Sequence, residues 1–121
     1  MSKVHVDLTI KNEAISETVE SEGTFIENTM EFHDEENRKH TLTFDNERLR
    51  YRRNGDRALD FTFEQDVLHE GTFQVLSQEM RFMVQTHELR IEEQSVFLRY
   101  TLLQAGQPVN HSELYLYYQE L

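Results

Sequence analysis

The first dozen residues constrain this chain most. Val4, Val6, Leu8 and Ile10 alternate with His5, Asp7, Thr9 and Lys11. A period of two puts the four apolar side chains on one face of a strand, whereas a helix would scatter them around its circumference. The chain therefore opens with a strand that needs one buried face.

The same alternation recurs downstream with about ten residues between turn signals, the rhythm of a meandering antiparallel sheet. Ile15 to Ile26 is weaker: Ala14 and three glutamates tolerate a helix, while Thr18, Val19, Thr24, Phe25 and Ile26 favour a strand. Met30 with Phe32, and Leu42 with Phe44, make two short strands around a charged loop, His33 to Lys39. Asp45-Asn46-Glu47 makes the next turn. Glu64 to Glu70 reads as a turn of helix or an irregular connection, and Gly71 restarts a strand through Thr72, Phe73 and Val75. Met80 to Glu93 is a long strand whose phase slips before Leu89 and Ile91, as one bulged residue would cause. Val96 to Gln104, the turn Ala105 to Pro108 and a strand around His111 to Glu120 complete eight to ten strands. The competing reading is a helix from Ser77 to Leu103, where Leu, Met, Glu, Gln and Arg have good helix propensity.

The segment Arg48 to Arg57, RLRYRRNGDR, carries five of the twelve basic side chains of a chain with formal net charge −11. Strand pairing tests what they are for. A two-residue loop at Asn54-Gly55 would set Leu49 opposite Asp60 and Arg52 opposite Arg57, mixing faces and pairing like charges. A three-residue loop, Arg53-Asn54-Gly55, with Gly55 in the left-handed conformation, sorts the pairs better. Arg52 then faces Asp56 and Arg48 faces Asp60, while Leu49 meets Leu59 and Tyr51 meets Arg57 on the inner side. Arg53 is left without a cross-strand partner. Arg57, sharing a face with Tyr51, Leu59, Phe61 and Phe63, either lies over Tyr51 at the sheet edge or holds a ligand carboxylate at the rim of an aromatic-lined cavity.

At 121 residues the chain makes a single domain, residues 1–121, and 8 Phe with 5 Tyr supply bulky core material. Twenty-three acidic against twelve basic residues argue against nucleic acid and against an anionic membrane surface as partners. The absence of cysteine excludes disulfides, thiolate metal sites and thiol nucleophiles. The N-terminus, MSKVHVDLTIK, lacks the continuous apolar run of a signal peptide, so the expected location is cytoplasmic.

From Leu49 onward the chain resembles the YwiB family of small bacterial proteins of unknown function. The resemblance rests on Arg53-x-Gly55, the segment from Phe63-Glu64 to Gly71, Thr86-x-x-Leu89, and Tyr100-x-Leu102 ahead of a glycine-containing turn and a final strand. Two positions depart from the family pattern. Leu76-Ser77-Gln78 replaces its tight Pro-Gly turn, and Asp66 stands where glycine is common. The resemblance implies an all-β fold, a closed antiparallel lipocalin-like (calycin) β-barrel, in which no sheet edge is left unpaired.

No catalytic constellation is legible, and neither a cofactor nor a metal is expected. The six histidines show no metal-ligand spacing and read as solvated surface residues. His33-Asp34-Glu35-Glu36 lacks the alternating oxygen ligands and glycine of a calcium loop. Glycine-rich phosphate loops and the G-x-S-x-G elbow are absent. Two functions of different classes remain. One is a barrel enclosing a small apolar or carboxylate-bearing ligand, with Tyr51, Arg53, Arg57, Thr86 and Tyr100 as the ligand-binding candidates. The other is a filled barrel acting as a scaffold, with the tyrosines at 115 and 117 contacting a protein partner or a second copy in a homodimer.

Overall fold

The computed structural model describes residues 2–121, and all of its regular structure is β. Ten strands follow one another: β1 (Ser2–Asn12), β2 (Ser16–Ile26), β3 (Thr29–His33), β4 (Lys39–Phe44), β5 (Arg48–Arg53), β6 (Leu59–Glu64), β7 (Leu68–Val75), β8 (Gln78–Glu92), β9 (Ser95–Gln104) and β10 (Gln107–Glu120). Each pairs antiparallel with its neighbour in sequence, and β1 pairs with β10 to close the barrel. Closure removes every free edge. No helix of the described residues is long and apolar enough to cross a membrane.

The helical alternative for Ser77 to Leu103 is not what forms, because β8 and β9 occupy that stretch. Helix propensity is worth only fractions of a kcal/mol per residue, and a strand paired on both sides overrides it. The expected bulge is present: the β8–β9 register shifts between Thr86 and Glu88. Val84 and Thr86 point inward before it, and Leu89 and Ile91 pack against the core after it. The helical or irregular connection expected over Glu64 to Glu70 is instead a tight hairpin turn, with Glu64 bridged to Val67 and β7 starting at Leu68.

The β5–β6 register differs from the three-residue loop in a revealing way. Leu49 faces Phe63, Tyr51 faces Phe61 and Arg53 faces Leu59, while Arg52 faces Asp60 and Arg48 faces Glu64 on the outside. Every residue that stays in the two strands keeps its expected face, but the pairing slides by four positions and the loop lengthens to residues 54–58. Contacts beyond the hairpin select it. The Asn54 N–H donates to the Lys39 carbonyl (3.1 Å), and Asn54 Oδ1 accepts from the Lys39 N–H (2.6 Å), which ties the loop to β4. Gly55 does adopt the left-handed conformation (φ 80°). Arg57, expected on the inner strand face, sits in the loop with φ 60°.

The core fills the interior from β1, β3 to β6 and β8 to β10, with Leu49, Phe63, Leu98, Leu114 and Leu116 fully buried. Gly71 on β7 lets a ring come close: a Cβ there would meet the Phe61 ring at 2.5 Å. At one end of the barrel Phe25, Phe44 and Tyr118 cluster, with ring centroids 5.4 to 6.3 Å apart. The other end, carrying the β1–β2, β3–β4, β5–β6, β7–β8 and β9–β10 loops, is open.

Candidate functional site

A cavity of about 450 Å³ occupies that open end. Its walls are mostly apolar, including Ile10, Leu59, Phe61, Phe73, Phe82 and Leu102, and its polar groups are few. Of the five sequence candidates, Tyr51, Arg53, Arg57 and Tyr100 line it. Thr86 does not: it is buried deeper, opposite Tyr100 on the next strand. Among the described residues, its Oγ1 is the one buried side-chain polar atom with no hydrogen-bond partner.

Arg53 is the central group. It continues the inward alternation of Leu49 and Tyr51 at the end of β5, and only 6% of its surface is exposed. Its Nε and Nη2 both donate to the Arg57 carbonyl, at 3.1 and 2.8 Å, which braces the five-residue loop. Nη1 lies 3.9 Å from Glu17 Oε2, beyond hydrogen-bond range. Arg57, 56% exposed at the mouth, lies 3.8 Å from the other oxygen of Glu17 and 5.7 Å from the Phe73 ring centre. Glu17 thus stands between two guanidinium groups without closing on either.

Behind Arg53 runs a chain of polar groups, part-buried at Arg38 and Asp34 of the β3–β4 loop and buried at His40 and Tyr51 in the barrel wall. Arg38 Nε donates to Asp34 Oδ2 (2.8 Å), which also accepts from His40 Nε2 (2.9 Å). Asp34 Oδ1 takes the backbone N–H groups of Glu36 and Arg38. His40 Nδ1 lies 2.7 Å from the Tyr51 hydroxyl. Burial opposes ionisation of Asp34, but the bonds from His40 and Arg38 outweigh it and hold the carboxyl well below its usual range. Burial also dominates at His40 and pushes its pKa down, with Arg53 and Arg38 adding to the effect against Asp34. The imidazole is therefore neutral at pH 7. Its Nε2–H donates to Asp34 and its Nδ1 accepts the Tyr51 O–H. Burial raises the Tyr51 phenol and pushes Tyr100 up to about 12, so both stay protonated.

Across the cavity, Ser112 Oγ donates to Asn110 Oδ1 (2.7 Å) beside Tyr100. The mouth carries an apolar rim, with Ile15, Val75 and Val109 exposed.

His40 corrects the sequence reading of six surface histidines, since only 1% of it is exposed. It stands two and four positions before Leu42 and Phe44, so its parity marks it as inward, although its chain neighbours are polar. Glu17 was legible in the same way, alternating with Val19. On the outer face, Arg50 makes a bidentate pair with Asp60 (3.0 and 2.7 Å). Tyr115 packs on Phe97 (5.0 Å) while Tyr117 is exposed.

A family model described as Domain of unknown function (DUF1934) matches residues 4–116. The crystal structure of ywiB protein from Bacillus subtilis has the same fold, with a TM-score of 0.62 at 11% identity over 98% of this chain and 90% of that one. Both agree with the YwiB resemblance drawn from Arg53-x-Gly55 and the segments after it. No curated protein matches.

Proposed function

The chain belongs to the DUF1934 family, whose description names no chemistry, and we propose from the cavity itself that the protein binds a small carboxylate with an apolar body, as a lipocalin-like carrier would. The observation that carries this reading is Arg53, a buried guanidinium at the wall of a mostly apolar cavity of about 450 Å³, with no carboxylate in hydrogen-bond range and only Glu17 near it at 3.9 Å. Arg38 is paired with Asp34 and Glu36, whereas Arg53 and Arg57 share the single carboxylate of Glu17 at 3.9 and 3.8 Å, so a ligand carboxylate would give Arg53 the close partner it lacks. A carboxylate on Arg53 forms a charge-assisted, bidentate-capable pair, while Phe61, Phe73 and Phe82 cover the apolar body. A cavity of this size counts against the filled-barrel scaffold.

The test is a thermal-shift series with octanoate, phenylpropionate and their neutral amides. A carboxylate present at about 100 times its dissociation constant stabilises the fold by about 2.7 kcal/mol. The carboxylates are expected to raise Tm and the amides not to. Equal shifts from both, or none from either, would discard the reading.

A further inference from the structure

Ligand binding by Arg53 makes no direct use of the Asp34–His40–Tyr51 chain behind it. We propose that the barrel takes up its anionic ligand together with a proton on His40, so that affinity rises as pH falls from about 8 to about 5.5. This rests on the carboxylate reading of the cavity and adds its regulation.

The geometry that carries the proposal is the placement of His40. It is the direct cross-strand partner of Arg53, and both side chains lie inside the barrel. Leu8 and Ile10 of β1, Val19 and Glu17 of β2, and Phe32 of β3, stacked at 4.9 Å, surround this part of the wall. The charged and titratable groups facing the imidazole are Asp34 and Arg38 from the β3–β4 loop, Tyr51 and Arg53 from β5, and Glu17 farther out. Asp34 favours a charged ring, whereas Arg53, Arg38 and burial disfavour it. A carboxylate seated on Arg53 cancels the cation directly opposite His40 and shifts that balance towards the imidazolium.

The charged ring fits the existing bonds. Its Nε2–H stays on Asp34 Oδ2, and a new Nδ1–H donates to the Tyr51 oxygen, whose own proton rotates away. One proton is added and no side chain has to move. Linkage is reciprocal: the factor by which the anion raises proton affinity at His40 is the factor by which the proton raises anion affinity.

The experiment is calorimetry with octanoate in two buffers of different ionisation enthalpy, alongside NMR titration of the His40 ring with and without octanoate. Octanesulfonate, whose head group stays ionised throughout, serves as a control. We expect proton uptake on binding, an upward move of the His40 midpoint, and dissociation constants about tenfold tighter near pH 5.5 than near pH 8, within the roughly 5–150-fold range of coupled sites. Both probes should show it. His40→Gln keeps a donor for Asp34 and an acceptor for Tyr51 but cannot titrate, so its affinity should be flat with pH. If His40→Gln fails to fold, the wild-type proton count and NMR midpoint decide. Binding without proton uptake, or a pH dependence confined to octanoate, overturns the linkage and leaves the carboxylate site standing. Failure of both probes to bind at any pH removes the site and the linkage together.

Discussion

His40 and Arg53 face each other across β4 and β5 with both side chains inside the barrel, so one imidazole and one guanidinium share the same buried wall. Each is held by other groups: the ring by Asp34 and Tyr51, the guanidinium by the Arg57 carbonyl. Burial keeps the ring neutral, Arg53 opposite adds to that effect, and the guanidinium leaves a cationic edge beside the cavity.

Arg53→Met separates binding from folding. Replacing a buried ion with an apolar side chain of similar length is often neutral or stabilising, while loss of the two N–H bonds to the Arg57 carbonyl costs about 1–3 kcal/mol. Urea denaturation should therefore change by less than about 2 kcal/mol, and the carboxylate-induced rise in Tm should vanish. A variant that still responds to octanoate as the wild type does would remove Arg53 from the site.

Glu17→Gln tests the internal competitor. Glu17 lies 3.9 Å from Arg53 and 3.8 Å from Arg57, where an incoming carboxylate also belongs. The pair is partly exposed, so its worth is discounted to about 0.2–1 kcal/mol. Removing the charge should tighten carboxylate binding by up to about fivefold in calorimetry. Weaker binding would mean that Glu17 contacts the ligand itself.

Acid should destabilise the fold in two stages. The folded pKa of His40 lies below its ordinary value of 6.5, so the unfolded chain binds a proton first and stability falls as pH drops below about 6.5. The carboxyl of Asp34 lies below 3.8 in the fold, so its contribution is complete above that value and is lost as pH falls beneath it. Urea midpoints measured from pH 8 to pH 5 without ligand should decline, and His40→Gln should abolish the decline. A wild-type midpoint that rises on acidification would contradict the neutral buried imidazole.

Leu76 is 95% exposed at the tip of the β7–β8 turn with φ 57°. A left-handed conformation costs a leucine about 1–2 kcal/mol, and glycine adopts it freely but loses more chain entropy on folding. Leu76→Gly should therefore stabilise the barrel by about 0.5–1 kcal/mol in denaturant titration. A loss of stability would show that the leucine makes a contact that outweighs its backbone strain.

The sequence by itself determined which face each strand buries, because parity along a strand is local chemistry: Val4, Tyr51, Phe61 and Leu98 are inward wherever their strands pair. It also carried the β8 bulge, since the phase slip before Leu89 has no other local remedy. Tertiary structure decided the register and the site. The β5–β6 pairing moved by four residues without changing the face of any residue that stays in the strands, because Asn54 bonds to Lys39 on the strand before and Arg53 reaches back to the Arg57 carbonyl. Charge matching within one hairpin is worth roughly 0.2–1 kcal/mol per pair, too little to fix the slide against such contacts. The burial of His40 was set the same way. Polar neighbours along the chain suggest water, but pairing of β4 with β5 and the β3–β4 loop bring Tyr51, Arg53 and Asp34 around the ring, and closure through β1 and β10 makes its inward face part of the interior.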